Sequence, residues 1–420
     1  MQFQFRTAGQ LVFGRGEFRR AAALTTGFGR RLLLVTGASS LARSGHLTAL
    51  HAALEPQIEH IEHVAVAGEP DIALADSLAQ RCREAACQVV LAIGGGSVID
   101  IGKAVAALSQ NPGQAIEYLE DVGRGTPRPL HQAPLPVVAV PTTAGSGSEV
   151  TRNSVLKVPE LRVKRSLRSD LLLPRVALVD PELLTSAPLH VAAAAGMDAL
   201  THLIEAYLSK GAQPTTDLLC VRGIELIWPA LQALTAPGSA STAAQAPTVA
   251  MQHEHLALAS LWGGMALANA GLGAVHGLVA PLGGLCGVAH GDGCACLLPA
   301  TFQANARALM QRQPGSPAIS RLRQILRLLG DGSEDLDLVG ERLNRLRRQF
   351  GIRSLCEQGV SRDQFPSILA QSRGGSMRSN PIELSDDELM DVLNQSWGGT
   401  PSPAGPQVPA LPRPITQPGE

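Results

Sequence analysis

The 420-residue chain is long enough for about two domains, and its composition allows a large core. Hydrophobic residues make up 45% of it and charged residues 17%, which excludes a globally disordered chain. The formal net charge of −1 gives no reason to expect a nucleic acid or an anionic membrane as a partner. The seven cysteines follow neither a zinc-ribbon nor a CxxC spacing, so we expect reduced thiols and a cytoplasmic location. No signal-peptide pattern and no apolar run of about 18 residues is visible, so we expect no membrane span.

Strand patterns and helix patterns alternate through the first part of the chain. Short apolar runs predict strands at 11–14, 31–36, 61–67, 88–93, 135–140 and 176–179, and apolar spacing predicts helices at 41–54, 71–86 and 98–108. Strands separated by helices in this way indicate a mostly parallel sheet covered on both faces. We therefore predict an α/β domain at residues 1–182.

The pattern changes after Asp180 and Pro181. From residue 188 to about residue 397 the apolar spacing is helical without a convincing strand, which predicts an all-α domain at residues 183–398. Residues 236–248 are rich in Ala, Ser, Thr and Pro and predict a flexible surface loop between helices. Residues 399–420 are rich in proline and predict a disordered tail.

A glycine-rich turn follows the strand predicted at 88–93. It consists of Gly94, Gly95, Gly96 and Ser97 and leads into a predicted helix, where backbone amides and the helix N-terminus favour a phosphate. Ser97 and Asp100 also fit a capping box, and both interpretations can hold together. Ile99 stands where the G-x-G-x-x-G fingerprint has its last glycine, so the turn alone leaves a tight turn and a phosphate site equally open.

A second polar turn follows the strand predicted at 135–140. It carries the hydroxyl groups of Thr142, Thr143, Ser146 and Ser148 among glycines. Such groups at the carboxyl end of a buried strand lie where ligands bind in open α/β sheets, although a loop of this kind can also satisfy its own backbone. Two polar turns at the ends of separate parallel strands favour a dinucleotide as the ligand.

Asp198 and His202 are four residues apart in a predicted helix, so they share one face and lie one turn apart. Taken alone, this pair is more typical of a helix surface than of a metal site. An unpaired carboxylate in so apolar a helix is costly, however, and needs a cation nearby. A proline and three glycines lie between residues 281 and 287, so we expect His276 and His290 on separate segments that return to the same point.

Taken together, these segments resemble the iron-containing (group III) alcohol dehydrogenase family. The matching segments are 94–100, 141–151, 173–181, 196–205, 270–277 and 376–381, and they occur in order across residues 5–397. The resemblance implies an N-terminal α/β dinucleotide-binding domain, an all-α C-terminal domain and an active site in the cleft between them. It also implies a homodimer or a higher homo-oligomer.

The resemblance assigns a role to each candidate site residue. The catalytic metal ligands would be Asp198, His202, His276 and His290. The cofactor would contact the glycine turn through its pyrophosphate, together with Thr142, Thr143, Ser146, Ser148 and Lys164. The implied reaction is NAD(P)-linked hydride transfer between a small aliphatic alcohol and its aldehyde, with the metal stabilising the alkoxide. The family name indicates Fe²⁺, and three imidazoles with one carboxylate also suit Zn²⁺.

Two positions depart from the family pattern. Ala280 stands where the family often has a histidine, so a proton relay through that histidine is absent, and we expect water or the cofactor ribose to carry the proton. Gly37 stands at the end of the second strand, where relatives that prefer NAD often have an acidic residue. With Ser39 beside it and Arg43 one turn on, this end of the strand could accept a 2′-phosphate, which favours NADP modestly.

Other functions remain open at this point. Maleylacetate reductase is a metal-free relative, and the retained ligands argue against it. Glycerol dehydrogenase and dehydroquinate synthase share the architecture, and we do not see the motifs of the latter. A scaffold that binds cofactor without catalysis is a different class of protein, and the intact motifs argue against it. The Gly- and Ala-rich run at 259–287 indicates either tight helix packing or space for a substrate.

Overall fold

The computed structural model describes residues 2–234 and 246–398. The tail predicted at 399–420 lies outside these residues. Most of the loop predicted at 236–248 also lies outside them, and its last three positions belong to a helix that begins at Ala246.

The described strands are β1 (Gln10–Phe13), β2 (Arg31–Gly37), β3 (His60–Val66), β4 (Val89–Gly94), β5 (Val137–Pro141), β6 (Asn153–Val158), β7 (Val163–Arg168) and β8 (Val176–Val179). Six of them form one sheet in the order β1-β8-β5-β4-β2-β3, and every neighbouring pair in it runs parallel. These six correspond to the six strands predicted from the sequence, so the parallel α/β fold of the N-terminal part is confirmed.

Both faces of the sheet are buried, which explains the continuous apolar run of β2. Leu33 and Val35 belong to one hydrophobic core, whereas Leu32 and Leu34 belong to a second core on the opposite face. Successive side chains of a strand point to opposite faces, so a strand covered on both sides must be apolar at every position.

The direction of chain progress through the sheet reverses at β2. From β2 the chain passes to β3 on one side and then to β4 on the other, and Thr36 of β2 pairs with Ile93 of β4. The carboxyl ends of these two strands, Gly37 and Gly94, therefore lie side by side. Ligands of doubly wound α/β proteins bind at such a reversal, just outside the carboxyl ends of the strands.

The described helices of the N-terminal part are α1 (Ala21–Thr26), α2 (Ser40–Arg43), α3 (His46–Leu54), α4 (Ile72–Glu84) and α5 (Gly96–Leu108). The single helix predicted at 41–54 is wrong, because Gly45 adopts a left-handed backbone with φ of +77° and separates α2 from α3. The predicted capping box at Ser97 is also wrong. The N-cap of α5 is Gly95, so Ser97 lies inside the first turn of the helix.

A β-hairpin that the sequence analysis did not predict follows the second polar turn. Its strands β6 and β7 run antiparallel and form a separate sheet. In β6 the buried residues Ser154, Leu156 and Val158 alternate with less buried ones, the pattern of a strand covered on one face. The hairpin lies beside α5, where the Ser154 hydroxyl donates a hydrogen bond to the carbonyl of Asp100 at 2.8 Å.

The described helices of the C-terminal part are α6 (Leu189–Leu208), α7 (Pro214–Gln232), α8 (Ala246–Ala270), α9 (Ala274–Cys286), α10 (His290–Arg312), α11 (Pro317–Leu329), α12 (Leu336–Gln349), α13 (Phe365–Ser372) and α14 (Asp386–Trp397). Within the described residues from 188 onward there is no strand, as predicted. No single described helix is both long and apolar enough to cross a membrane, while α8 and α9 together would pass by length and composition but are bent by 99°.

The separation of His276 from His290 is confirmed, and one of the four residues expected to cause it does so. Pro281, Gly283 and Gly284 lie inside α9 rather than between two helices. The break occurs at Gly287, whose left-handed backbone, with φ of +72°, ends α9 before α10 starts at His290.

Candidate metal and cofactor site

Four side chains from three helices converge on one point. Asp198 and His202 lie one turn apart on α6, His276 lies in the first turn of α9, and His290 is the first residue of α10. One potential ligand atom from each of them lies within 4.8 Å of the other three. The structure therefore brings together all four residues that the resemblance assigns to the metal.

The carboxylate of Asp198 lies at the centre of this cluster. Its Oδ1 is 3.4 Å from Nε2 of His276, 3.4 Å from Nε2 of His290 and 3.6 Å from Nε2 of His202. Two ligand atoms that share one cation at bond lengths of about 2.1 Å and a tetrahedral angle are about 3.4 Å apart. The observed separations fit a shared cation, and they are long for direct hydrogen bonds.

The same oxygen is buried and has no hydrogen-bond partner among the described residues. Burial by itself would raise the pKa of Asp198, but the neighbouring imidazoles of His202, His290 and His276 bring it well below its usual range. A carboxylate that is ionised, buried and unpartnered requires positive charge beside it. Burial lowers the pKa of His202 to about 3, whereas the negative groups beside His290 outweigh burial and raise its pKa to about 10. The donor set fits a divalent cation.

Glu205 fixes the orientation of His276. Its Oε2 accepts a hydrogen bond from Nδ1 of His276 at 2.7 Å and another from the backbone N–H of Gly273 at 3.0 Å, while Oε1 accepts from the N–H of Val275 at 2.7 Å. Carboxylates of this kind commonly orient metal-binding histidines. The sequence analysis missed this role, although Glu205 follows Asp198 by seven residues and His202 by three, which places all three on one face of α6.

A cleft of about 1020 Å³ opens from the cluster. It is larger than most single-ligand pockets, which enclose about 300–1000 Å³, and leaves room for a cofactor together with a small substrate. Of the predicted site residues, the following line it: Gly96, Ser97, Asp100, Thr143, Ser146, Ser148, Lys164, Asp198, His202, His276 and His290. The other predicted residues, Gly37, Ser39, Gly94, Gly95 and Thr142, are not among the described residues that line this cleft.

The two polar turns lie in direct contact. The backbone N–H of Thr142 donates a hydrogen bond to the carbonyl of Gly94 at 2.9 Å. A Cβ atom at Gly96 would lie only 2.6 Å from the hydroxyl of Ser146, so this close approach requires glycine. The hydrogen bond between Thr142 and Gly94 thus joins the two turns. Other residues of the same turns, Gly96, Ser97, Thr143 and Ser146, line the cleft.

Asp100 anchors the second turn. Its carboxylate accepts hydrogen bonds from the hydroxyl of Ser148 and from the backbone N–H of Val155, the latter at 3.0 Å. Lys103, which the sequence analysis missed, is completely buried and donates from Nζ to the carbonyl of Ser148 at 2.9 Å and to the hydroxyl of Thr151 at 3.1 Å. Its Nζ also lies 3.2 Å from Asp100. These bonds hold the turn in position beside α5.

A contact between glycines joins the second turn to the helical part. Gly147 has a left-handed backbone with φ of +60°, and a Cβ atom at this position would lie 2.4 Å from Cα of Gly264 on α8. The Gly-rich run at 259–287 therefore provides tight packing at Gly264. The same run also lines the cleft, from Leu267 to Leu272 and at Ala280, so both alternatives left open by the sequence apply.

Lys164 of the hairpin strand β7 also lines the cleft. Its ammonium group pairs with Glu69 at 2.5 Å, and burial lowers its pKa while Glu69 acts in the opposite direction. A Cβ atom at Gly283 would lie 2.3 Å from Nζ of Lys164, so the ammonium group packs against α9 one turn beyond Ala280. Lys164 is thus placed between the hairpin and α9.

Two sequence models of known protein families together match most of this chain. Residues 8–181 match the sequence model named iron-containing alcohol dehydrogenase, and residues 192–397 match that of the C-terminal part of the Fe-containing alcohol dehydrogenase family. The chain belongs to the iron-containing alcohol dehydrogenase family. The resemblance seen in the sequence is confirmed, and the family consists of oxidoreductases that act on alcohols.

Relatives within the iron-containing alcohol dehydrogenase family differ in their substrates. The chain is 34% identical over 380 residues to the 1,3-propanediol dehydrogenase of Klebsiella pneumoniae, covering 88% of this chain and 92% of that one. It is 33% identical over 344 residues to the long-chain-alcohol dehydrogenase 1 of Geobacillus thermodenitrificans, covering 80% and 81%. The crystal structure of the sulfoacetaldehyde reductase from Bifidobacterium kashiwanohense in complex with NAD⁺ superposes with a TM-score of 0.80 at 27% identity, covering 95% of this chain and all of that one.

Proposed function

We propose that this chain is a metal-dependent, NAD(P)-linked alcohol dehydrogenase that interconverts a small aliphatic alcohol and its aldehyde by hydride transfer. The observation that carries the proposal is the unpartnered Oδ1 of Asp198, buried among three imidazoles at the wall of a cleft that Gly96 and Ser97 of the glycine turn also line. A cation site and a phosphate-binding turn in one cleft are the two elements that this reaction needs.

Asp198, His202, His276 and His290 would hold the cation. A divalent metal bound there supplies Lewis-acid stabilisation of an alkoxide or polarisation of a carbonyl, worth several kcal/mol at the transition state. Asp198 contributes the one negative charge of the donor set, and Glu205 keeps Nε2 of His276 directed at the cation by holding the proton on Nδ1. The family name favours Fe²⁺, and this nitrogen-rich donor set also accepts Zn²⁺.

The dinucleotide would bind along the ends of β4 and β5. We propose that the N-terminus of α5 and its glycine turn hold the pyrophosphate, that Thr143, Ser146 and Ser148 contact the rest of the cofactor and that Lys164 contacts it from the hairpin. The NAD⁺ in the crystal structure of the sulfoacetaldehyde reductase supports a nicotinamide cofactor. This arrangement divides the chain into a cofactor domain at 1–182 and a metal-binding domain at 183–398.

Our preference for NADP over NAD rests on Gly37. It is the last residue of β2, beside Gly94, and a side chain at this position would meet no heavy atom within 4 Å. The open space and the absence of a carboxylate at this position favour a 2′-phosphate. Comparing kcat/KM for NADPH and NADH decides the point, and a strong preference for NADH would overturn it.

The helical part contributes several aliphatic residues to the lining of the cleft, together with the polar side chains of His190, Asn269 and Asp292. The aliphatic residues are Val191, Ala194, Ala195, Leu267, Ala268, Ala270, Leu272 and Ala280. Such a lining suits a short aliphatic chain. Because Ala280 offers no proton acceptor, we propose that the proton of the alcohol leaves through water or through the cofactor ribose.

The test is reduced-nicotinamide oxidation by a panel of short aldehydes, measured before and after removal of metal with a chelator and again after adding back Fe²⁺ or Zn²⁺. Turnover that is lost with the metal and restored by it is expected. Turnover that is indifferent to metal removal would indicate a reductase similar to maleylacetate reductase. Cofactor binding without any turnover would indicate a non-catalytic scaffold. The homodimeric or higher assembly and the cytoplasmic location stay predictions, and light scattering on the purified chain tests the first.

A further inference from the structure

The segment 376–381, which the sequence analysis singled out, contains a buried asparagine that the function proposed above does not use. Asn380 is only 2% exposed. Its Oδ1 accepts a hydrogen bond at 3.0 Å from the backbone N–H of Ala274, the first residue of α9. This helix carries His276 in its first turn. The closing segment of the chain therefore contacts the helix that presents one of the metal-ligand candidates.

The first turn of α9 depends on other parts of the chain for its hydrogen bonds. The N–H groups at the start of a helix have no carbonyl partner within the helix, and the N-cap residue Gly273 has no side chain that could accept from them. Glu205 accepts from the N–H groups of Gly273 and Val275, and Asn380 accepts from the N–H of Ala274 between them. Two side chains thus hold three successive N–H groups.

The backbone on both sides of His276 is in close contact with the segment 376–381. A Cβ atom at Gly273 would lie 2.8 Å from Oδ1 of Asn380, and a Cβ atom at Gly277 would lie 2.8 Å from Cε of Met377. Either contact is closer than a methyl group tolerates, so a shift of this segment would be transmitted to the first turn of α9.

The amide of Asn380 is itself held firmly, because all of its hydrogen-bonding positions are used. Besides the N–H of Ala274, Oδ1 accepts from Nδ2 of Asn305 on α10 at 3.2 Å. Nδ2 of Asn380 donates to Oδ1 of Asn305 at 2.6 Å and to the carbonyl of Ile382 at 2.7 Å. An amide oxygen accepts two hydrogen bonds and an amide nitrogen donates two, so the orientation of this side chain is fixed.

We propose that Asn380 is a positioning residue of the metal site, which acts on His276 through the N-terminus of α9. The proposal rests on the metal site of the proposed function. Because α10 begins at His290, the hydrogen bonds of Asn380 to α9 and α10 also link the two helices that carry His276 and His290. Groups that hold a metal ligand in place commonly contribute about 10- to 100-fold to metal affinity.

The test is the binding of Zn²⁺ and Co²⁺ to the full-length chain. Asn380→Ala and Asn380→Ser remove the acceptor of the Ala274 N–H, since a serine hydroxyl ends one bond short of the position of Oδ1. We expect both variants to bind Zn²⁺ about tenfold more weakly in a chelator competition and to shift the visible absorption bands of bound Co²⁺, which report its coordination geometry. Asn380→Asp keeps an acceptor oxygen at this position, so its Co²⁺ spectrum should match that of wild type.

Asn111 provides the matched control. It is also 2% exposed, and it is not among the described residues that line the cleft. Its amide accepts from the N–H groups of His131 and Gln132 and donates to the carbonyls of Ala107 and Gln132. Asn111→Ala thus breaks as many hydrogen bonds of a buried amide as Asn380→Ala does. It should lower thermal stability without changing the Zn²⁺ affinity or the Co²⁺ spectrum.

Each outcome separates the two proposals. If Asn380→Ala and Asn380→Ser bind both metals as wild type does, or if Asn111→Ala weakens binding equally, the role of Asn380 is overturned and the metal site stands. A Co²⁺ spectrum of Asn380→Asp that departs from wild type also overturns the role of the Ala274 contact, even where the alanine and serine variants fail to fold. A wild-type chain that binds neither metal overturns the metal site and the role of Asn380 together.

Discussion

Glu205 accepts a hydrogen bond from Nδ1 of His276 at 2.7 Å, and this contact determines which nitrogen of the imidazole faces Asp198. In this hydrogen bond the imidazole is the donor and the carboxylate oxygen the acceptor, so Nδ1 carries a proton. Nε2 then faces Asp198 and lies 3.4 Å from its Oδ1. The same carboxylate accepts from the backbone N–H groups of Gly273 and Val275 at the start of α9. The Glu205 side chain thus holds both the N-terminus of α9 and the imidazole ring of His276 in position.

We expect Glu205→Gln to weaken divalent-metal binding by about 10- to 100-fold. The amide nitrogen of the glutamine would face one of the three N–H groups that donate to Glu205, and that hydrogen bond would be lost. His276 would then lose its fixed orientation. A competition titration against a chromophoric chelator measures the effect. Glu225→Gln is the control, since Glu225 is exposed and pairs with Arg222 on the surface of α7. Equal metal affinities for both variants would contradict the role of Glu205.

We expect Asp198→Asn to lower kcat/KM about a thousandfold, which corresponds to about 4 kcal/mol of transition-state stabilisation. The amide has the same shape but lacks the charge that the cation requires. Metal content and steady-state turnover of the purified variant measure the two parts of the effect. Asp391→Asn, at an exposed position of α14, should behave like wild type. Full activity of Asp198→Asn would show that this cluster is not the catalytic site.

We expect Gly264→Ala to destabilise the chain by about 1–3 kcal/mol and to raise the KM for the cofactor. The added methyl group would lie 2.6 Å from the carbonyl oxygen of Gly147, and the second polar turn would have to move. Alanine normally stabilises a helix relative to glycine. A loss of stability in this variant would therefore come from the clash between the added methyl group and Gly147. Thermal unfolding and initial rates measure both effects. Gly315→Ala, where a Cβ meets nothing within 4 Å, should change neither.

We expect Glu149→Gln to stabilise the chain at alkaline pH. Burial raises the pKa of Glu149 to about 7, with Lys103 acting in the opposite direction. In the unfolded chain this pKa is about 4.3, so between the two values the native state binds more protons and stability falls as pH rises.

The gain from Glu149→Gln should therefore rise by ~2.5 kcal/mol between pH 5 and pH 8. Thermal unfolding across this range measures the difference between variant and wild type. Glu160→Gln, at an exposed position, is the matched control. A gain for Glu149→Gln that is equally large near pH 5 would show that ionisation of Glu149 is not its cause.

We expect Gly37→Asp to lower kcat/KM for NADPH about tenfold or more relative to Gly37→Asn. The two side chains have the same shape and both meet open space, so the comparison isolates the repulsion between a carboxylate and a 2′-phosphate. The kcat/KM values of the two variants for NADH should differ little. If the two variants use NADPH equally well, the adenosine end of the cofactor does not lie at Gly37.

The elements of the N-terminal part were accessible from the sequence because their signals are local. The apolar run of β2 requires burial on both faces, and that requirement alone predicts a parallel sheet under helices. The left-handed backbone of Gly45 and the hairpin formed by β6 and β7 were missed. The first depends on one dihedral angle, and the second on packing against α5.

For the site, the sequence by itself determined that Asp198 and His202 share a helix face, since a spacing of four residues is a property of the helix. It also indicated, through resemblance, which histidines complete the set. Only the tertiary structure decided that Glu205 orients His276 and that Gly147 touches Gly264. These contacts join residues far apart in the chain, and their geometry is set by how helices and turns pack, which no local pattern encodes.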